Sequence, residues 1–237
     1  MSELRSIIQI ESLQEALLEM LNLVKRQVEL TKDAVINFNK EAAEEVILRE
    51  KQVNSLDLFI DKESEKVIAL YRPVAVDLRF VISCLNMNTF LERIGDNAQG
   101  MSKYILDMEA PFSSTTLDQT KVEKLFTLID EMFSACLEAQ DSEDTSKAGM
   151  IFTKDREIDK INTEAVAIIT EAIKTDQDNI SAYLNLLSII RKCERIGDLL
   201  KNVAEQYIFY LDAKVLKHKK KKIKKFIENN SESETKD

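Results

Sequence analysis

The 237-residue chain is 44% hydrophobic and 32% charged, with four glycines, two prolines and no tryptophan, which suits an all-α protein of long helices. Its single histidine, His218, excludes the usual Ser-His-Asp or Cys-His triad, a histidine-rich zinc site and the Glu-x-x-His ligation of ferritin-like di-iron proteins. The net charge is −9, and setting aside the eight lysines between Lys214 and Lys225 leaves −17, a balance that favours cations over nucleic acid as ligands.

Cys84, Cys136 and Cys193 lie far apart with no CxxC spacing, as expected of free thiols in a reducing cytoplasm. No apolar run approaches the roughly 20 residues needed to cross a bilayer, and no basic-plus-hydrophobic leader opens the chain. A cytoplasmic protein, at most peripheral to a membrane, is the expectation.

Residues 1–11 read as a short lead-in. A first helix is expected from about Ser12 to Phe38, with Leu13, Leu17, Met20, Leu21, Val24, Val28, Val35 and Phe38 on its apolar face. A second runs from about Glu41 to Tyr71, its core stripe formed by Val46, Val53, Leu56, Ile60 and Val67. Beside that stripe lies a polar one, Glu50, Asn54, Asp57 and Asp61, at steps of four, three and four. Pro73 ends this helix and can open a third, which reaches about Met108. Residues 111–116 form a linker with the second proline.

The second half repeats the plan. A fourth helix is expected over roughly Leu117 to Gln140, a break at Asp141–Thr145, a fifth helix from about Ser146, and a sixth from Asn179 towards Ala213. Amphipathic helices of this length must bury their stripes, so two tandem three-helix bundles, residues 1–110 and 117–213, are the expected architecture. The lysine-rich then acidic end, residues 214–237, has too little apolar content to pack and is expected to be partly disordered.

Five residues occur twice. Glu92-Arg93-Ile94-Gly95-Asp96 returns 102 positions later as Glu194-Arg195-Ile196-Gly197-Asp198. A spacing of four puts Glu and Asp on one helix face, a turn apart. Glycine inside a helix costs roughly 1 kcal/mol relative to alanine, so its repetition asks for a reason. A smaller neighbour would let another helix or a hydrated ion approach closely. Asp155 and Asp159 match Glu50 and Asn54 in order and spacing.

Two acidic clusters follow: Glu92 and Asp96 with Glu50 and Asn54, and Glu194 and Asp198 with Asp155 and Asp159. Crowded carboxylates resist ionisation unless a cation lies between them. With neither His nor Cys as donors, ligation would be by oxygen alone, which selects Mg²⁺, Ca²⁺, Mn²⁺ or iron. A single Glu-x-x-x-Asp is ordinary surface charge; duplication of the whole string favours the functional reading. At ~100° per residue, Glu92 and Asp96 fall away from Met87, Leu91, Ile94 and Ala98, which places any metal on an outer face. Asp57 and Asp61 have no acidic counterparts in the second half and are expected to be solvated. Arg93 and Arg195 are expected to pair with nearby acids, with phosphate binding left open.

At these residues the chain resembles the PhoU family of phosphate-uptake regulators. Arg72-Pro73-Val74-Ala75-Val76-Asp77-Leu78-Arg79, leading to Leu91–Ala98, is similar to that family's third helix. Asp155–Asp159 and Arg191–Asp198 match its second half. The resemblance spans roughly residues 12 to 213. It implies a cytoplasmic, usually dimeric helical protein that binds metal through Glu50, Glu92, Asp96, Asp155, Asp159, Glu194 and Asp198. It also implies docking with a phosphate-specific ABC transporter and a phosphate-sensing histidine kinase. Asn54 stands where the motif has Asp, which weakens the first site, and the lysine-rich extension lies outside the pattern.

A non-enzymatic regulator of phosphate transport is therefore the leading expectation. The alternative within the family is a soluble partner of a sodium–phosphate cotransporter or other phosphate carrier. A metal-dependent hydrolase ranks lower, because no nucleophile or general base is evident beyond the ligands. The lysine run 214–225 suits a solvated helix end. It equally suits an anionic membrane surface, at ~1 kcal/mol per basic residue.

Overall fold

A computed structural model describes residues 2–142 and 148–213. The lysine run, the acidic end and most of the expected break at 141–145 lie outside the described residues. Seven α-helices are described: α1 (Ser2–Asn37), α2 (Lys40–Lys66), α3 (Ala75–Asp107), α4 (Ser114–Thr120), α5 (Val122–Ser142), α6 (Ala148–Thr175) and α7 (Ile180–Asp212). There is no strand among the described residues.

The lead-in is helical. No glycine or proline interrupts residues 2–11, so α1 runs back to Ser2. Its buried face carries Leu13, Leu17, Met20, Leu21, Val24 and Val28, as the spacing predicts. Phe38 is only partly buried; at φ 52° it turns the chain instead of extending the stripe. Asn39 then caps α2, its side chain accepting the Ala42 N–H at 3.0 Å, a contact worth about 1 kcal/mol.

Helix α2 ends in a widened π turn, Val67–Tyr71. Proline disfavours a right-handed helical conformation in the residue before it, and Arg72 is left-handed at φ 52°. Helix α3 accordingly starts at Ala75, two residues beyond Pro73. The linker of the second half is shorter than expected, because Ser114 already begins α4. The expected fourth helix is broken at Lys121 (φ 55°), whose N–H bonds to the Asp118 carbonyl at 3.1 Å. Thr116 and Thr120 of α4 are buried, and α4 packs on α6.

Helices α1, α2 and α3 pack on one another, as do α5, α6 and α7, giving two tandem three-helix bundles. The two are not separate: α3 lies along α7 and α1 against α5. Cys193 Sγ meets Met101 Sδ at 3.8 Å in the α3–α7 seam, and the buried side chains of both halves form one continuous core. No helix among the described residues is long and apolar enough to cross a membrane.

Candidate functional site

In the first half the acidic cluster lies where α2 meets α3. Glu50 follows the apolar rhythm of Val46 and Val53, so helical geometry turns it inward, and it is only 4% exposed. Gly95 makes room for it. A Cβ at position 95 would stand 3.2 Å from Glu50 Oε2, 3.0 Å from Gln27 Oε1 and 3.3 Å from Val53 Cγ1. Gln27 comes from α1, and its Nε2 donates to Glu50 Oε2 at 3.0 Å and to the Val46 carbonyl at 3.4 Å. Glu50 Oε1 and Gln27 Oε1 are buried acceptors with no hydrogen-bond partner. Such oxygens are costly unless a donor or a cation meets them.

Glu92 is half-buried, while Asp96 and Asn54 are exposed. Burial, and then the charge of Asp96, push the Glu50 carboxyl above its ordinary value; the Gln27 hydrogen bond and Lys103 oppose this. Glu92 is raised by burial and by the charges of Asp96, Asp57 and Glu50, against Arg93. The acids thus act on one another electrostatically across the α2–α3 groove.

Asp57 and Asp61 are not free solvated acids. Buried Asn88 of α3 donates through Nδ2 to the Asp57 carbonyl (3.0 Å), Asp57 Oδ1 (2.8 Å) and Asp61 Oδ1 (3.0 Å). This pins both carboxylates to α3 and extends the cluster down the groove. Asp57 is raised by burial and by Asp61, against the Asn88 bond.

The second half repeats the geometry between α6 and α7. Asp155 is 6% exposed, in the place of Glu50. A Cβ on Gly197 would stand 3.1 Å from Ile158 Cδ1 and 3.7 Å from Asp155 Oδ1, just as Gly95 faces Val53 and Glu50. Asp159 is exposed, and Glu194 and Asp198 are half-buried. Glu194 is raised by burial and by the charges of Asp198, Asp159 and Asp155, against Arg195.

One residue separates the halves. Lys201 Nζ donates to Asp155 Oδ2 at 2.7 Å and also bonds Asp198 Oδ1. Burial alone would lower the ammonium's pKa, but these hydrogen bonds and charges outweigh it and hold Lys201 above its ordinary value. Asp155 stays raised, burial exceeding the help it receives from Lys201. Lys201 lies 102 positions beyond Gln99, whose Oε1 accepts from Lys103 Nζ at 2.6 Å.

The structure therefore puts the acids singled out in each half within electrostatic reach of one another, but not wholly on an outer face. Each cluster grades from a buried acid, Glu50 or Asp155, to an exposed one, Asp96 or Asp159. The position of Glu50 between Val46 and Val53 could have shown this, as could that of Asp155 between Ile151 and Ile158. Gln27, on a different helix, carried no local signal. Lys201, three residues beyond a duplicated aspartate, was legible by comparing the copies.

Among the described residues, no three His, Cys, Asp or Glu side chains converge into a ready-made metal cage. By donor chemistry the first cluster still fits a hard cation: its donors are all oxygens, and two buried acceptors beside Gly95 are unpaired. The second fits less well, since an ammonium already bridges Asp155 and Asp198.

The model of the PhoU domain matches this chain twice, over residues 17–105 and 122–207. A phosphate-specific transport system accessory protein PhoU homologue from a Burkholderia species is 30% identical over 88% of this chain and 89% of its own length. The PhoU protein of Escherichia coli K12, described in the same terms, is 27% identical over 89% of this chain and 86% of its own. The crystal structure of PhoU from Pseudomonas aeruginosa superimposes with a TM-score of 0.81 at 27% identity, covering 87% of this chain and 99% of that one. The doubled fold, the two glycine-lined acidic grooves and these matches across both halves agree: the chain belongs to the PhoU family.

Proposed function

We propose that this chain is a non-enzymatic, cytoplasmic regulator of phosphate transport. It would act as a homodimer on a phosphate-specific ABC transporter and on a phosphate-sensing histidine kinase, damping uptake and signalling when phosphate is plentiful. The observation that carries this reading is the match across both repeats to proteins named as accessory to phosphate-specific transport.

The acidic grooves suit ion binding rather than enclosed catalysis, since each opens to solvent at Asp96 or Asp159. In the first groove Glu50, Glu92 and Asp96, with the amide oxygen of Asn54, would hold Mg²⁺, Ca²⁺, Mn²⁺ or iron. Such an ion would supply the positive charge that lets these acids ionise together. The corresponding acids of the second half are Asp155, Asp159, Glu194 and Asp198, of which Asp155 and Asp198 already share the Lys201 ammonium. The lysine run 214–225 would add attraction to the anionic inner face of the membrane.

The test is deletion of the gene in its own host. In phosphate-rich medium, phosphate uptake and a phosphate-starvation reporter should both rise, and the full chain should restore them. Unchanged uptake and reporter output would overturn the regulatory reading. The metal reading stands on a separate measurement. Protein purified without chelator or affinity tag should carry metal that Glu50→Gln loses; equal metal content in both would remove it.

A further inference from the structure

The two halves balance nearly the same acids by different means. The first has Asn54 and Gln99, both neutral, at the places where the second has Asp159 and Lys201. The extra acid and the extra base of the second half offset one another. Lys103, the nearest lysine on the first-half helix, is turned towards Gln99 and not bonded to Glu50. Lys201, in contrast, engages one oxygen of the buried acid, Asp155, and one of the half-buried acid, Asp198.

We propose that Lys201 is the resident cation of the second cluster, and that it excludes metal from Asp155, Asp159, Glu194 and Asp198. The ammonium bonds the very oxygens that a metal would take. A divalent ion placed among them would either be repelled by it at short range or have to drive it into water, giving up two charge-assisted hydrogen bonds. The lysine is tethered, so it cannot be diluted away, and its side chain is only 24% exposed. The first cluster, whose buried acceptors are unpaired, is left as the half that takes metal. That last clause rests on the metal reading above; the exclusion at the second cluster does not.

Chelated full-length protein is equilibrated with Mn²⁺, freed of excess by gel filtration, and assayed for bound manganese. Lys201→Gln installs the residue that the first half itself uses. It should raise bound Mn²⁺, to about double if the first cluster is filled. The gain should vanish in Lys201→Gln with Asp155→Asn. Lys201→Arg, which keeps the charge, should bind as the parent does, and Asp155→Asn alone should leave the parent's content unchanged. Should Lys201→Gln fail to fold without metal, Mn²⁺ should restore its circular dichroism spectrum. Parental Mn²⁺ content in Lys201→Gln, loss of metal on Asp155→Asn alone, or a variant that metal cannot refold would each overturn the proposal. A parent that binds no Mn²⁺ and is indifferent to Glu50→Gln would sink only the first-cluster reading, because the gain in Lys201→Gln is judged by itself.

Discussion

Gly95 faces Glu50 so closely that a methyl group there would lie 3.2 Å from the carboxylate, with Gln27 tighter still at 3.0 Å and Val53 at 3.3 Å. Gly95→Ala gains roughly 1 kcal/mol of helix propensity but displaces three buried neighbours, a kind of overpacking that costs about 1–3 kcal/mol. A net loss of about 1 kcal/mol is expected. Gly197→Ala meets only the end of the flexible Ile158 chain below 3.4 Å, so it should be neutral or slightly stabilising. Urea midpoints of the two variants give the comparison, and equal midpoints would contradict it.

The raised carboxyl of Glu50 fixes the direction of the acid response. In the folded chain it keeps its proton at pH values where the unfolded chain, with an ordinary value of 4.5, has lost it. Folding therefore takes up protons in that window, and stability should rise as pH falls from neutral through it. Glu92, Asp155 and Glu194 are shifted the same way and add to the effect. Glu50→Gln should flatten the profile in metal-free protein. Its amide can also donate to the unpaired Gln27 Oε1, adding about 1 kcal/mol at neutral pH. Thermal melts from pH 7 to pH 5 decide between the two profiles.

Removing the Lys201 head group leaves Asp155 buried with its strongest partner gone. Lys201→Met should lose about 2 kcal/mol, below the range for a fully buried pair because the lysine keeps some contact with water. On an Asp155→Asn background the same change should cost much less. A double-mutant cycle read by urea unfolding would show the coupling, and simple additivity would deny it.

All three cysteines are buried, and burial pushes Cys84 and Cys136 up to about 12 and Cys193 higher still. Because the thiolate is the reactive form, the native chain should resist alkylation at pH 8 over hours. All three should react promptly in denaturant. Rapid labelling of the native chain at Cys193 would mean that the α3–α7 seam opens readily.

Periodicity made the long helices legible. Leu13 to Val28, and Phe80 to Ile105, repeat at steps of three and four that only one helical face can satisfy. The duplicated Glu-Arg-Ile-Gly-Asp string located both acidic grooves, because its members lie within one or two turns of each other. The break at Lys121 was invisible, since no glycine or proline marks it. The burial of Glu50 is masked by its four-residue step to Asn54 and on to Asp57, although its steps to Val46 and Val53 place it on the apolar stripe. Asn88 holding Asp57 and Asp61, and Gln27 reaching Glu50 from α1, depend on packing between helices, which spacing along one helix does not encode.

Helix α3 and helix α7 turn their inner faces to each other, with Met101 against Cys193 in the seam. Each copy of the ancestral unit has thus become the other's missing wall. A nick in the loop after Asp107 should leave one particle held by that wall, whereas either fragment made alone would show a bare oily flank to water. The doubling is in this sense one-way: a chain that has merged its two copies across a common spine can drift in how each copy handles charge, but it can no longer discard one of them.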